Sequence, residues 1–191
     1  MIQEFSLCIS AIESPVFTKF AIVMPFYHLP DDYQLTRSDW KNMCLKLCDG
    51  VEKLQEMGVR LVNFNDTALQ IYPKENKMVI TDMQCAVFKS AEFHFKNVNI
   101  PEEEFARKFP NMPPEIYNHS QLHFKNDTYS LAKVIHSLHK KLEVEGSELH
   151  FLLFPFMQKD PELRPSVSCM KGFLDIYLTF GSRLFNLSPF Q

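Results

Sequence analysis

Glycine is scarce in this 191-residue chain: five residues, at positions 50, 58, 146, 172 and 181. No two stand close enough to build a glycine-rich loop, whose backbone amides would cradle the phosphates of a nucleotide. Excess charge of either sign is also lacking. Twenty Lys and Arg against 23 Asp and Glu leave a net of −3, which argues against an electrostatic nucleic-acid binder. No apolar run approaches membrane-spanning length, and no basic segment with an apolar stretch opens the chain. The expectation is an intracellular protein of the cytoplasm, with the nucleus as the alternative, and no membrane partner. Five cysteines, at 8, 44, 48, 85 and 169, are odd in number and do not read as a disulfide framework. Cys44 and Cys48 lie one helical turn apart in an apolar stripe and are expected to be reduced core residues. A zinc site would need more ligands at close spacing. Four Asn-X-Ser/Thr matches, at Asn65, Asn118, Asn126 and Asn186, read as chance, and Asn126 precedes a segment expected to be buried.

What is abundant is apolar surface: 46% of residues, with 18 Phe, enough for the core of a single domain. Ser6 to Ser14 and Lys19 to Phe26 are short runs of β-branched and aromatic residues that predict a hairpin. Ser38 suits the N-cap of a helix carrying Trp40, Met43, Cys44, Leu47, Val51 and Leu54 on one face, ended by Gly58. Short strands are predicted near Leu69 to Tyr72 and Met78 to Thr81. Residues 83 to 114 read as mostly irregular, with Pro101 opening a short helix whose acidic Glu102, Glu103 and Glu104 are solvated. Helices are predicted from Thr128 to Lys141, Glu148 to Met157 and Ser166 to Leu178. Of the seven histidines, the pairs His119/His123 and His136/His139 have helical spacing but no matching Cys or carboxylate, so surface or groove positions are expected.

Several short motifs stand in a fixed order. Residues 58 to 71, Gly58-Val59-Arg60-Leu61-Val62-Asn63-Phe64-Asn65-Asp66-Thr67-Ala68-Leu69-Gln70-Ile71, are followed by Thr81-Asp82-Met83-Gln84 and Pro113-Pro114-Glu115. Asp127-Thr128-Tyr129-Ser130-Leu131-Ala132 and Asp160-Pro161-Glu162-Leu163-Arg164-Pro165-Ser166 complete the series. Their order and spacing resemble the catalytic loop, metal-binding motif, activation-segment end, central helix and closing motif of eukaryotic-type protein kinases. The resemblance runs from about residue 5 to 178. It implies an α+β, mainly α fold: a protein-kinase-like large lobe with a residual small-lobe β-hairpin. Residues 1–27 would be the hairpin and hinge, with Met24, Pro25 and Phe26 at the hinge and Met24 at the gatekeeper position. Residues 28–179 would be the lobe, and 180–191 an apolar tail carrying Leu184, Phe185, Leu187 and Phe190.

The same resemblance implies that the reaction has been lost. Asn63 stands where the family's proton-accepting Asp belongs, and a neutral amide is no base near neutral pH. Asn65 replaces the lysine that steadies the transferred phosphoryl group, and Ala68 replaces the asparagine that holds a second magnesium. Asp82 survives at the first metal position and is expected to be vestigial. Glu115 and Arg164 match a buried ion pair, and Asp127 the helix-start Asp that holds backbone near the catalytic loop. Leu61 and Met83 would take two places in an internal apolar column. The implied function is a catalytically inactive pseudokinase without cofactor. It would act by protein–protein binding, on an active kinase or a second copy, as a regulator or inhibitor. Residual or atypical ATP-dependent phosphotransfer is the alternative, as is a truncated form of a longer kinase-family protein.

Overall fold

A computed structural model of the chain describes residues 10–12, 21–23, 36–62, 64–72, 77–81, 86–88, 101–117, 123–141 and 149–180. Met24, Pro25, Phe26, Asn63, Asp82 and Met83 lie outside these described residues. The described chain is mainly helical, with small antiparallel β pairs.

The first long helix, α1, spans Arg37–Glu56. Its cap is Thr36 rather than Ser38: Thr36 is extended, with its hydroxyl accepting from the Asp39 amide at 3.1 Å and donating to the Asp39 carboxylate at 2.6 Å. Ser38 already lies inside the helix. The stripe read from the sequence, Cys48 included, is the buried face. After Met57 the chain turns through Gly58, whose φ of 79° is one that side-chain-bearing residues rarely adopt.

Three two-stranded sheets are described. In the first, β1 (Ser10–Ile12) pairs with β2 (Ala21–Val23), placing Ala11 opposite Ile22. In the second, β3 (Val59–Leu61) pairs with β6 (Ala86–Phe88). In the third, β4 (Leu69–Tyr72) pairs with β5 (Lys77–Ile80), placing Gln70 opposite Val79. The strand β6 corrects the expectation of mostly irregular chain from 83 to 114. The short helix expected after Pro101 is present as α2 (Glu102–Lys108), and a further short helix, α3 (Pro114–Tyr117), follows it. The first-turn glutamates of α2 are exposed, and its Phe105 packs with Val62, Met112 and Ile116 in a small satellite core.

The main core lies between α1, α4 (Phe124–Lys141) and α6 (Val167–Phe180). Leu131, Ala132, Val134 and Ile135 of α4 are fully buried, and Met170, Leu174 and Tyr177 of α6 close the far side. Burying a side chain the size of Val, Leu, Ile or Met contributes about 1.5–3 kcal/mol. Polar links tie α1 to α6: Lys41 pairs with Asp175 at 2.7 Å, and Arg37 donates to the Tyr177 carbonyl at 3.1 Å. Between α4 and α6 the expected single helix is divided. The helix α5 (Leu149–Leu153) gives way to a 3-10 turn, Phe154–Met157, because Pro155 has no amide proton to continue the α pattern.

Candidate functional site

The loop that follows β3 carries Asn65 and Ala68, two of the positions that the kinase resemblance singles out. Asn65 has extended backbone, and its side-chain oxygen accepts from the Ala68 amide at 3.1 Å and the Thr67 hydroxyl at 2.5 Å. It is thus the N-cap of a single 3-10 turn, Asp66–Ala68, a role Asn fills well and Lys cannot. Ala68 is buried. Its carbonyl accepts from the Thr81 amide at 2.7 Å and from the Thr81 hydroxyl at 3.2 Å, joining the loop to the end of β5. Both positions have structural work that needs no ligand.

Asp66 was not singled out from the sequence. Its carboxylate pairs with Lys141 and accepts from the Ser137 hydroxyl at 3.2 Å, both on α4. Burial opposes its ionisation, but the Lys141 ammonium and Ser137 hydroxyl outweigh that and hold the carboxyl below its ordinary value. The one loop carboxylate among the described residues is therefore engaged in fastening the loop to α4. Nothing local in the sequence joins positions 66 and 141, so no spacing rule would have found the contact.

Beneath the loop, Asp127 in the first turn of α4 is 1% exposed. One of its oxygens accepts from the Leu61 amide at 2.8 Å, and the other from the Gln55 side chain at 3.3 Å. Burial pushes the Asp127 carboxyl up to about 6, although the Leu61 amide, the Gln55 amide and the Arg60 guanidinium all favour the charged form. Leu61 itself is buried at the end of β3.

Glu115 and Arg164, 49 residues apart, meet inside the protein. Arg164 donates to both carboxylate oxygens, Nη1 to Oε1 at 2.5 Å and Nη2 to Oε2 at 2.7 Å. This is the bidentate geometry that gives such pairs their specificity. The guanidinium also donates to the carbonyls of Gln158, Lys125 and Lys159, at 2.6, 3.2 and 3.0 Å, and lies 4.9 Å from the centre of the Tyr129 ring. Asn126 adds a bond to Glu115 Oε1 at 2.5 Å. Asn126, met in the sequence only as a glycosylation match, is 1% exposed and so closed to that modification in the folded chain. The cluster pins α3, the start of α4 and the turn before α6 to one another.

His123 and His136 are half-buried, in line with expectation, His119 lies outside the described residues, and one histidine departs from expectation. His139 is buried, its ring 6.0 Å from that of Trp40, rather than at a surface or groove. His136 faces His150 of α5 at 4.9 Å between ring centres instead of pairing with His139. Cys44 and Cys48 are buried free thiols, and burial raises both well out of the reactive range. Among the described residues, no group of three or more His, Cys, Asp or Glu is arranged to hold a metal ion, and no helix is long and apolar enough to cross a membrane.

The chain matches no protein-family profile and no curated protein.

Proposed function

We propose that this chain is the large lobe of a protein-kinase-like fold whose reaction has been lost while its internal fastenings remain, and that it acts by binding another protein. The observation that supports the reading most is how the loop residues are used. Asn65 and Ala68, at positions where the resemblance calls for a phosphate lysine and a metal asparagine, are spent on closing a 3-10 turn. The positions where it calls for architecture, Asp127, Glu115 and Arg164, are buried and fully engaged. The Asn65 amide supplies no cation to steady a phosphoryl group, and the Ala68 methyl supplies no metal ligand.

A lobe of this kind acts by occupying a partner. The partner proposed is an active protein kinase, whose pairing of lobes or subunits this chain obstructs, or a second copy of the chain itself. The test measures peptide phosphorylation by a broad set of active kinases with and without an excess of this protein. At least one kinase should lose activity while the chain alone consumes no ATP. ATP turnover by the chain alone would sink the proposal, and no effect across the set would sink a kinase as the partner.

A further inference from the structure

His136 and His150 reach one another from different helices. His150 follows Leu149, whose burial together with that of Leu153 seats α5 on the core, and His136 follows the fully buried Ile135 of α4. Their rings lie 4.9 Å apart between centres, at an interplanar angle of 50°. The Phe151 ring stands edge to face with His150 at 5.8 Å and limits how far that imidazole turns. No hydrogen bond or ion pair among the described residues uses a ring nitrogen of either histidine. Two imidazoles brought this close, with no bond between them or to a neighbour, keep nitrogen lone pairs free for a ligand.

We propose that His136 and His150 together hold one divalent transition-metal ion of the class that imidazole favours, Zn²⁺ to Cu²⁺, and that this ion fastens α5 to α4. Two imidazoles on one ion, with metal–nitrogen bonds of about 2.0–2.1 Å, place their ring centres roughly 4.5–5.2 Å apart as the angle at the metal runs from about 90° to about 109°. The observed 4.9 Å lies inside that range. The protonation state also fits. Burial, then His150, Lys140, Lys133 and His139, lower the affinity of His136 for a proton, which keeps it neutral near pH 7, the form that ligates. The charges that oppose a cation here are those same two lysines. Lys140 is exposed and screened by solvent, and the Lys133 ammonium lies over the Tyr129 ring, 5.7 Å from its centre. Two protein ligands leave the remaining positions to water, so the ion exchanges freely, unlike a structural zinc held by four. The site does not depend on whether the chain binds kinases.

The experiment uses the full chain, stripped of metal with a chelator and dialysed, with Ni²⁺ as the probe, an ion that imidazole binds and that leaves free thiols unoxidised. Urea unfolding is followed with and without the ion. At about 1 mM, Ni²⁺ should raise the folding equilibrium constant at least tenfold, as a dissociation constant of about 0.1 mM or below requires. In His136→Gln and in His150→Gln the rise should fall below about twofold, and the double variant should lose no more than either. A rise kept in either single variant would place the ion on other donors and overturn the inference. No rise in the unaltered chain would overturn it as well. His150 is exposed, so His150→Gln leaves the core intact and carries the test alone if His136→Gln loses its cooperative transition.

Discussion

Asp127 accepts the Leu61 amide at 2.8 Å across 66 residues of chain, so the first turn of α4 holds the end of β3 just before the loop begins. The bond is made by a carboxyl that burial has lifted from 3.8 to about 6. A raised carboxyl means that the folded protein holds this proton more tightly than the unfolded chain does. Its contribution to stability is therefore complete below about pH 4 and is lost as pH rises through 6. About two pH units at about 1.4 kcal/mol each give roughly 3 kcal/mol. Asp127→Asn keeps an acceptor for Leu61 and has no charge to bury. Its stability relative to wild type should climb by about 1–3 kcal/mol between pH 4 and pH 7.5 in urea unfolding. Parallel pH curves for the two proteins would show that Asp127 does not titrate in this range.

The pair Glu115 and Arg164 should behave as a buried ion pair. Glu115→Ala strands a guanidinium that is 1% exposed and should cost about 3–5 kcal/mol. Replacing both, by Glu115→Met with Arg164→Met, should cost clearly less than the two single changes added together. A double-mutant cycle measures this. Strict additivity would mean that the backbone carbonyls around Arg164, not Glu115, satisfy it.

Asn65→Ala removes the oxygen that receives the Ala68 amide and should destabilise by about 1 kcal/mol, while Asn65→Asp retains the cap and should cost little. Asn65→Lys installs the residue type that the kinase resemblance calls for yet loses the cap, so it should lower the unfolding midpoint without producing phosphate transfer. Phosphopeptide formation by the lysine variant, read with labelled ATP, would contradict this account of the loop.

His136 supplies a slope opposite to that of Asp127. Burial lowers its affinity for a proton, and the neighbouring His150, Lys140, Lys133 and His139 lower it further. The stability it brings is complete above the ordinary value of 6.5 and is lost as pH falls below it. His136→Gln should flatten the loss between pH 7 and pH 5, seen as a smaller drop in unfolding midpoint. An unchanged drop would place the acid sensitivity elsewhere.

The elements with strong periodicity were the legible ones. The stripe from Trp40 to Leu54 gave the buried face of α1, and Gly58 marked its end, because helical packing repeats a local pattern. Among the shortest elements, β4 and β5 were legible to within a residue or so and β1 and β2 fall inside the predicted hairpin, but β6 and α3 were not legible. The strand β6 holds its place by pairing with β3 across the chain, and Ala86–Phe88 has no signal of its own. The N-cap fell to Thr36 instead of Ser38, a choice between two good capping residues that only backbone geometry decides. The divided helix from 149 to 157 was legible in principle, since Pro155 stood in view. At the site, the motif order pointed to Glu115, Arg164 and Asp127. Their supporting partners, Asn126, Gln55 and the Asp66–Lys141 pair, depend on contacts between distant segments and left no trace in spacing.

On the proposed function, the loop after β3 holds no nucleotide. Thermal unfolding of the purified chain with and without millimolar magnesium-ATP decides this, because any ligand that binds only the folded state must raise the midpoint. The transitions should superimpose. A rise of several degrees that depends on both magnesium and ATP would overturn the proposed function and give this protein a nucleotide site.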